Sequence, residues 1–546
     1  MSISDLQQAT AIHHIPQYHA QTHPERLCVI DTENQPISYG ELWNKITATS
    51  QYLEQQGVRP RDRVLIVGEN CVDMMTLYFA CSLLQAWPVA VNARLSPREI
   101  DVISTHAAPR VSLYTSGISR SAAQHATHQQ AQDLTLSALP HCLHVKLDSQ
   151  QDTREIPSTE AIPSTETTPS TEATHTTAVQ AQSLPDADQV AALIYTSGTT
   201  GAPKGVMVPH RGLLHFARIS GHSRGLGPDD RAYAALPLSH IFGLATVLLA
   251  TLYAGAALIL RSRFDPADVR QALATQGLTT LQGVPMMYTR ILAEAAENGP
   301  FEAPQLRYVY TGGAALDPTL KQRVEDLFGH PLHHGYGITE YAGSLFLTRQ
   351  EAPAQDCTAG YAVEGLEIHI GDLNQAPLPP GTVGDIHVRG PGIMLGYYKD
   401  PQQTAAAILP GGWLKTGDLG YLAEDGALYI TGRSKELIIR SGFNVYPHEV
   451  ESVLNSYPGI NLSAVIGVPE QDGNEKIIAF YQPTEDANID IEALQSFLRE
   501  RLAPYKIPAQ YLSIDTIPMT LSGKIQKRVL QDRFLNDLNN PATETI

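Results

Sequence analysis

Residues 195–205 read Tyr195-Thr196-Ser197-Gly198-Thr199-Thr200-Gly201-Ala202-Pro203-Lys204-Gly205 and follow an apolar segment, 190–194, that has the pattern of a buried strand. Glycine lets the backbone approach a polyanion closely, and successive backbone N–H groups form an anion-binding concavity. Hydroxyl donors and the charge of Lys204 would strengthen such a site. The segment therefore predicts a loop that holds nucleotide phosphates, in preference to a merely flexible surface loop.

This loop differs from a Walker A loop, which needs Gly-Lys-Ser/Thr at the start of a helix. Here Pro203 precedes the lysine and no hydroxyl residue follows it. The run resembles the phosphate loop of the adenylate-forming superfamily, which contains acyl-CoA synthetases, peptide-synthetase adenylation domains and firefly luciferase. The resemblance implies nucleotide binding by seven residues, the first of them also catalytic: Thr196, Ser197, Gly198, Thr199, Thr200, Gly201 and Lys204.

Length and composition limit the classes of protein that fit this chain. Its 546 residues are too many for a single core and predict two or more domains. The formal net charge of −18 disfavours a nucleic-acid partner or an anionic membrane surface. The five cysteines are scattered without a CxxC pair, which indicates neither a disulfide framework nor a zinc site and favours a cytoplasmic location.

Two segments bear on targeting and on membranes. The first residues lack a basic region followed by an apolar one, so we expect no signal peptide. Residues 241–260 carry no charge and are nominally long enough to cross a bilayer. Because Gly243 and Gly255 interrupt this segment, we predict a buried helix over 242–252, a turn, and a buried strand over 257–260. A transmembrane helix is the alternative.

The order of apolar segments predicts an α/β fold. Helix-like and strand-like segments alternate through the first 120 residues and again from 190 to about 345, which is typical of parallel sheets covered by helices. Residues 360–430 carry strand signals separated by Gly and Pro, as in a small barrel. We predict a large N-terminal domain of two sheet-and-helix subdomains plus a β-barrel, followed by a small mobile α+β C-terminal domain.

One segment departs from this pattern. Pro-Ser-Thr-Glu occurs three times, starting at Pro157, Pro163 and Pro169, among polar residues that cannot bury enough apolar surface to offset their ordering entropy. We therefore interpret 150–183 as a disordered insertion. The predicted division of the chain is an AMP-binding domain over 1–432, a hinge over 433–435, a C-terminal domain over 436–537 and a disordered tail over 538–546.

Residues 334–340 read His-Gly-Tyr-Gly-Ile-Thr-Glu, an aromatic residue between two glycines followed by a hydroxyl and a carboxylate. The resemblance implies that Tyr336 stacks on adenine, that Thr339 contacts the α-phosphate and that Glu340 coordinates Mg²⁺, for which a carboxylate is a suitable hard ligand. It also implies nucleotide contacts for a set of small or apolar residues: Gly313, Ala314, Ala315, Gly335, Gly337 and Ile430.

The resemblance assigns further roles nearer the C-terminus. Asp418 would accept hydrogen bonds from the ribose hydroxyls, and Arg433 would contact ribose and phosphate. Lys435 matches the residue about which the family's C-terminal domain rotates. Lys524 matches the catalytic lysine that reaches the substrate carboxylate and the α-phosphate, and its presence argues against a non-catalytic binding module. The run over 438–447 looks like that of fatty-acyl-CoA synthetases and implies a CoA site at Ser441, Gly442 and Phe443.

The sequence defines the acid substrate less well. His240 matches a family position that borders the acyl pocket and is a candidate catalytic residue, although a core histidine is an equal alternative. Small and apolar residues around the pocket suggest an apolar carboxylic acid, either fatty or aryl. The predicted pocket consists of His240, Phe242, Gly243, Tyr288, Gly312, Tyr341 and Ala342.

Together these motifs predict an ATP-dependent, AMP-forming acid–thiol ligase that uses Mg²⁺. The acid attacks the α-phosphate of ATP to give an acyl-adenylate and pyrophosphate, and the C-terminal domain then rotates. The thiol of CoA attacks the activated carbonyl, which releases AMP and an acyl-CoA. Two alternatives stay open: an enzyme that loads the phosphopantetheine of an acyl carrier protein, and a luciferase-like monooxygenase.

Overall fold

The computed structural model describes residues 6–147, 188–196, 203–440, 443–470, 475–484, 487–520 and 524–539. The predicted insertion over 150–183 lies outside these ranges, as do the central residues of the phosphate loop, 197–202, and Ser441 and Gly442. Of the predicted disordered tail, residues 538 and 539 end the last helix, and the rest falls outside the described residues.

The first part of the chain builds a five-stranded sheet between helices. The strand order is β4-β3-β5-β7-β6, and β3 runs parallel to both β4 and β5. Every residue of β3 is buried, as in parallel sheets that helices cover on both faces. Ser38 and Glu41 form a capping box that fixes the start of α2. The elements are α1 His14–Thr22, β1 Leu27–Ile30, β2 Pro36–Ser38, α2 Tyr39–Gln55, β3 Arg63–Gly68, α3 Val72–Leu83, β4 Trp87–Asn92, α4 Pro97–Ala107, β5 Val111–Tyr114, α5 Arg120–His128, β6 Gln132–Asp133 and β7 His144–Leu147.

The second part builds a nine-stranded sheet in the order β16-β15-β14-β13-β12-β10-β11-β1-β2, whose central strands are parallel. A separate hairpin joins β8 to β9. The elements are β8 Val190–Thr196, β9 Lys204–Pro209, α6 His210–Ser223, β10 Arg231–Ala234, a π-helix Phe242–Leu249, α7 Ala250–Tyr253, β11 Ala257–Leu260, α8 Pro266–Thr275, β12 Thr280–Gly283, α9 Pro285–Asn298, β13 Tyr308–Gly312, α10 Pro318–Phe328, β14 Leu332–Ile338, a 3₁₀ turn Thr339–Tyr341, β15 Gly343–Leu347 and β16 Tyr361–Ala362.

The two faces of the nine-stranded sheet pack against different hydrophobic cores. Leu281 of β12 and Val309 of β13 belong to a cluster that includes Tyr288 of α9. On the other face the main core contains Ala234 of β10 and the π-helix. Because successive strand residues point to opposite faces, Gln282 and Tyr310 lie on the face that the π-helix covers.

The uncharged segment over 241–260 does not form one long helix. It contains the π-helix, the short α7, a turn at Gly255 with positive φ, and β11, which lies inside the sheet between β10 and β1. The predicted helix, turn and strand are thus confirmed, although the π-helical winding was not predicted. Over the described ranges, no helix is both long and apolar enough to cross a membrane.

The third part is a five-stranded antiparallel sheet in which β17, β18, β20 and β19 follow one another and β21 pairs with β20. The strand signals predicted over residues 360–430 are confirmed, because most of the strands of this sheet lie in that range. The elements are β17 Glu367–Ile370, β18 Gly384–Arg389, α11 Pro401–Ala407, β19 Ile408–Leu409, a 3₁₀ turn Pro410–Gly412, β20 Trp413–Leu422 and β21 Leu428–Arg433.

The fourth part begins at Ser434 and has hydrophobic clusters of its own. Two clusters draw their buried residues from Ile438 to Phe534 only, one on each face of the sheet β24-β25-β26. This separation agrees with a distinct C-terminal unit. The elements are a 3₁₀ turn Ser434–Glu436, β22 Ile438–Arg440, β23 Phe443–Val445, α12 Pro447–Asn455, β24 Ile460–Pro469, β25 Glu475–Pro483, α13 Ile491–Arg499, a 3₁₀ turn Pro504–Lys506, β26 Gln510–Ser513 and α14 Lys527–Asn539.

Candidate active site

The two ends of the predicted phosphate loop are fixed by the β8–β9 hairpin. Thr196 and Lys204 lie directly opposite each other as the last paired residues of the two strands. The Lys204 ammonium lies 5.0 Å from the centre of the Tyr397 ring, within the range of a cation–π contact. The hairpin therefore holds both ends of the loop beside a segment that is 190 residues further along the chain.

Tyr397 also contacts the predicted Mg²⁺ ligand. Its hydroxyl donates to Glu340 Oε1 at 2.9 Å, and the adjacent backbone carbonyl of Glu340 accepts from Met394 N at 2.9 Å. Burial, and then the charge of Glu340, raises the pKa of the Tyr397 phenol, which stays a donor at neutral pH. Tyr397 thus orients the carboxylate of Glu340. No role was predicted for Tyr397 from the sequence.

A second network joins the predicted adenine and ribose residues. The Tyr336 hydroxyl donates to Asp418 Oδ2 at 2.5 Å, and Arg433 Nε lies 2.9 Å from Asp418 Oδ1. The register of β20 and β21 places Asp418 opposite Arg433, so the ion pair follows from strand pairing. Thr416 Oγ1 accepts from the Asp418 backbone N–H at 3.1 Å and fixes the turn before it. Tyr336 therefore meets two residues that lie 82 and 97 positions further along the chain, Asp418 and Arg433, at the Asp418 carboxylate.

Lys524 reaches this network from the C-terminal unit. Burial lowers its pKa, the nearby charge of Arg433 lowers it further, and the charges of Glu436, Asp418 and Glu340 act in the opposite direction. The charges of both networks therefore act on Lys524. Lys524 also makes two hydrogen bonds with Thr520: its carbonyl accepts from the Thr520 backbone N–H at 2.7 Å, and its backbone N–H donates to the threonine hydroxyl at 3.1 Å.

The turn that contains Lys435 connects the two units. Ser434 Oγ donates to Asp385 Oδ1 at 2.8 Å, which ties the turn to the antiparallel sheet. On the other side, Lys527 of α14 pairs with Glu451 at 2.8 Å and with Glu436 at 3.3 Å. Burial would lower the pKa of Lys527, but the charges of these two carboxylates outweigh burial, and the pKa of Lys527 is raised.

Of the predicted CoA residues only Phe443 lies among the described residues. Its side chain is half exposed, and its ring stacks on that of Tyr505 with the ring centres 4.5 Å apart.

The remaining predicted nucleotide residues lie around the carboxyl ends of β13 and β14. A side chain at Gly335 would collide with the Tyr310 hydroxyl, and one at Gly337 with the Gly343 carbonyl, so both positions require glycine. Thr339 is buried in the turn before Glu340. Gly313, Ala314 and Ala315 follow β13, and Ile430 of β21 packs against the main core.

His240 and Phe242 stand at the start of the π-helix. His240 Nδ1 accepts from the Phe242 backbone N–H at 3.2 Å, which leaves the proton of the neutral ring on Nε2. Burial lowers the pKa of His240 to about 4, so this ring is neutral at physiological pH. The Phe242 ring edge comes within 3.6 Å of where a Cβ on Gly312 or Gly313 would stand. A Cβ there would already be in van der Waals contact with the ring, so Phe242 packs closely over the bare backbone of Gly312 and Gly313.

The other four predicted pocket residues make packing contacts within the domain, and their place in an acyl pocket stays a prediction. Tyr288 is buried on the opposite face of the sheet, and its hydroxyl donates to the carbonyls of Leu281 and Tyr310 at 3.0 and 2.8 Å. Gly243 is needed because a side chain there would collide with the Pro237 carbonyl, and Tyr341 and Ala342 pack against glycines of neighbouring loops.

Comparisons with known proteins agree with this geometry. The family described as "AMP-binding enzyme" matches residues 16–398, and "AMP-binding enzyme C-terminal domain" matches residues 449–524. A feruloyl-CoA synthase from an Amycolatopsis species is 34% identical over 503 residues, which are 91% of this chain and 94% of that protein. The 4-coumarate–CoA ligase 1 of Solanum tuberosum is 29% identical over 94% of this chain and 92% of its own length.

A solved structure of similar fold was determined with nucleotide bound. It is o-succinylbenzoate coenzyme A synthetase from Bacillus subtilis in complex with ATP and magnesium ion, which superposes with a TM-score of 0.78 at 28% identity and covers 95% of this chain and 99% of its own. The chain belongs to the AMP-binding enzyme family. It is an AMP-forming acid–thiol ligase of the acyl-CoA synthetase type, which uses a carboxylic acid, ATP, Mg²⁺ and CoA.

Proposed function

We propose that this protein activates an aryl carboxylic acid and transfers the acyl group to CoA. The observation that carries the aryl assignment is the similarity, over more than nine tenths of the chain, to two ligases whose names give aryl acids. Phe242 over the bare backbone of Gly312 and Gly313 supplies an aromatic ring at the predicted acyl pocket, and aromatic rings pair favourably with one another. The names of the two curated relatives above, a feruloyl-CoA synthase and a 4-coumarate–CoA ligase, agree with this choice.

The site residues take the following roles in the proposal. Asp418 and Arg433 hold the ribose, Tyr336 lies on the adenine, and the hydroxyl and backbone groups of the phosphate loop hold the phosphates. Lys524 donates to the oxygens on which negative charge develops when the acid attacks the α-phosphate. The environment of Lys524 supports this role, because charges on Asp418 and Glu340 act on it.

Glu340 fits the role of Mg²⁺ ligand. Its carboxylate lies beside the end of the phosphate loop, and Tyr397 orients one of its oxygens and leaves the other for a cation. Carboxylate oxygens suit Mg²⁺, which keeps its remaining positions for water and phosphate oxygens. When bound, Mg²⁺ would neutralise phosphate charge.

We further propose the division of the chain given above, with the hinge at 433–435. Lys435 lies in the turn between the two units, and the clusters beyond it are separate from the main core. Rotation at this turn would withdraw Lys524 and bring the segment around Phe443 toward the acyl group. We also propose a cytoplasmic location, because none of the five cysteines is in a disulfide and the substrates ATP and CoA are intracellular.

The test is ATP–pyrophosphate exchange with purified protein across benzoates, cinnamates, fatty acids and amino acids, followed by assay of the acyl-CoA product. We expect exchange with at least one aryl acid, and CoA thioester formation from the same acid. Exchange supported only by fatty acids would overturn the aryl assignment. Exchange without CoA thioester would instead indicate loading of a carrier-protein phosphopantetheine.

A further inference from the structure

A histidine at the end of α4 contacts the strand that leads into the predicted phosphate loop. His106 Nδ1 lies 2.7 Å from the hydroxyl oxygen of Tyr195, the residue before Thr196, and the two rings meet edge to face. Burial lowers the pKa of His106, and the nearby charge of Lys399 lowers it further, so the ring is neutral at physiological pH. Burial raises the pKa of the Tyr195 phenol, which therefore keeps its proton. The contact is thus a hydrogen bond between two neutral groups.

His106 also contacts a second segment of the candidate active site. Its ring meets the Tyr398 ring edge to face with the centres 5.5 Å apart, and its backbone carbonyl accepts from the Lys399 ammonium at 2.9 Å. The residue before Tyr398 is Tyr397, whose hydroxyl donates to Glu340. One residue of α4 therefore touches both the strand that leads into the predicted phosphate loop and the segment that orients the proposed Mg²⁺ ligand.

These contacts meet at the base of the β8–β9 hairpin. Tyr195 is paired with Gly205 across the two strands, and the Tyr398 backbone N–H donates to the Gly205 carbonyl at 2.8 Å. A Cβ on Gly205 would lie 3.3 Å from the Tyr195 ring and 3.4 Å from the Tyr398 Cβ, so the three residues are closely packed. The next pair along the hairpin is Thr196 with Lys204. A shift of the Tyr195 side chain would therefore be passed to both of these residues.

We propose that His106 is a positioning residue for phosphate binding: through the Tyr195 hydroxyl it fixes where the hairpin places Thr196 and Lys204 for the phosphates of ATP. This inference rests on the proposed phosphate-binding role of these two residues, and it holds whichever carboxylic acid is the substrate. The Tyr195 ring packs against the core of the first sheet, so the ring itself belongs to the fold and only its hydroxyl is assigned this role. Groups that bind a ligand must be held within about 0.5 Å of the productive geometry.

The first test measures nucleotide affinity without any acid substrate. Titration calorimetry gives Kd for MgATP and for AMP with the wild-type protein, Tyr195→Phe and His106→Ala. Because one net hydrogen bond is lost, we expect Kd for MgATP to rise about 3- to 10-fold in both variants. AMP lacks two of the three phosphates, so its Kd should change by less than about 2-fold. An unchanged Kd for MgATP would overturn the proposal, and so would an equal rise for both nucleotides, because general damage to the domain does not depend on the number of phosphates.

Two further variants separate the hydrogen bond from packing. His106→Asn keeps a polar group near the position of Nδ1, so we expect it to bind MgATP as the wild type does and to lose this advantage over His106→Ala when Tyr195→Phe is also present. His128→Ala is the matched control, because it removes a histidine contact with Asp101 on the exposed side of α4, and it should leave both Kd values unchanged. Equal Kd values for MgATP in His106→Asn and His106→Ala would overturn the proposal.

The kinetic test uses ATP–pyrophosphate exchange with an acid that the enzyme accepts. In Tyr195→Phe and His106→Ala we expect KM for ATP to rise by about the same factor as Kd, while KM for the acid and thioester formation from a supplied acyl-adenylate stay unchanged. A rise confined to KM for the acid would overturn the proposal. If thermal unfolding shows that His106→Ala does not fold, Tyr195→Phe decides the matter, because it removes a single hydroxyl. Absence of exchange with every aryl acid would count against the proposed function alone, since the calorimetric result does not depend on the acid.

Discussion

Two regions of the molecule treat charge in opposite ways. At the nucleotide end of the proposed active site, Asp418 pairs with Arg433 and accepts from Tyr336, and Glu340 accepts from Tyr397. Under the π-helix, Arg224 is more deeply buried than any of these groups and donates to neutral oxygens, and no carboxylate among the described residues contacts it. The difference teaches that the carboxylates proposed to meet the nucleotide are oriented by charged and phenolic donors, whereas the buried guanidinium is held by neutral groups alone.

Removing Lys524, the lysine that the C-terminal unit places near the nucleotide end, would have the largest effect. In Lys524→Ala, the oxygens that gain charge during adenylate formation lose a donor, and we expect ATP–pyrophosphate exchange to fall about 10²- to 10³-fold. Thioester formation from a supplied acyl-adenylate would be retained, because that step follows domain rotation. Lys146→Ala, on an exposed strand of the first sheet, is the matched control. Equal losses in both half-reactions would show that Lys524 supports folding and not adenylation.

Removing the charge of Asp418 tests whether its contacts with Arg433 and Tyr336 hold the nucleotide end in the arrangement that binds ATP. Asp418→Asn removes the anion that holds both Arg433 and Tyr336, and hydrogen bonds to charged groups contribute about 1.5–3 kcal/mol. We expect KM for ATP to rise about 10- to 100-fold, with a much smaller change in KM for the acid. Steady-state kinetics with each substrate varied in turn measures the two effects. A rise confined to the acid would contradict the assignment of Asp418 to the nucleotide.

A smaller change at the same end tests whether Tyr397 orients Glu340. Tyr397→Phe keeps the ring near Lys204 and removes the hydrogen bond to the carboxylate. Loss of a residue that orients a metal ligand typically weakens metal affinity about 10-fold or more, so we expect the Mg²⁺ concentration for half-maximal exchange to rise about 10-fold. Tyr361→Phe, which removes an exposed hydrogen bond to Asp425, is the control. An unchanged Mg²⁺ requirement would place the metal away from Glu340.

The smallest effect at neutral pH is expected for buried histidines away from the proposed active site, which affect the stability of the folded protein. Burial, and then the neighbouring His14, lowers the pKa of His210 to about 3, and burial lowers that of His19 to about 4. These folded-state pKa values lie below 6.5, the ordinary pKa of histidine. As pH falls through 6.5, the unfolded chain therefore binds more protons than the folded protein does. Stability is therefore unaffected above that pH and is lost between 6.5 and about 4, by up to about 1.4 kcal/mol per pH unit for each group.

Urea unfolding at several pH values measures this slope. His210→Gln is expected to reduce the slope by about one proton equivalent below pH 6.5 and to leave it unchanged above. The part of the chain from Ser434 onward contains a single histidine, His448, so we expect its unfolding to respond less to acid in this range. An unchanged slope in His210→Gln would show that this histidine titrates normally in the folded protein.

The sequence marks the predicted nucleotide residues far more clearly than the acyl residues, for a physical reason. The segments proposed to bind phosphates and ribose, such as 195–205 and 334–340, place several polar residues next to one another and are visible as motifs. Strand β11 was predictable from the apolar run that follows Gly255. Arg224 and Gln282 are single polar residues, and no local pattern marks the hydrogen bond between them, which spans 58 residues.

The same reason applies to the predicted pocket residues Gly243, Tyr288, Tyr341 and Ala342. They lie on helices and turns, and the contacts of each depend on how these elements pack on the sheet, which no local pattern in the sequence shows. Conversely, no role was predicted for Tyr397. Its contact to Glu340 spans 57 residues, and no local pattern in the sequence marks it.

The anchoring of Lys527 has a consequence for timing. Lys527 is bound at once to Glu436, in the turn of the hinge, and to Glu451, in the first helix of the C-terminal unit, and it lies three residues after Lys524. The segment that carries the proposed catalytic ammonium is therefore short and held at its base. If Lys524 and the hinge have the proposed roles, departure of Lys524 from the phosphates and rotation at the hinge would be a single event, and one enzyme molecule would not be arranged for both half-reactions at once.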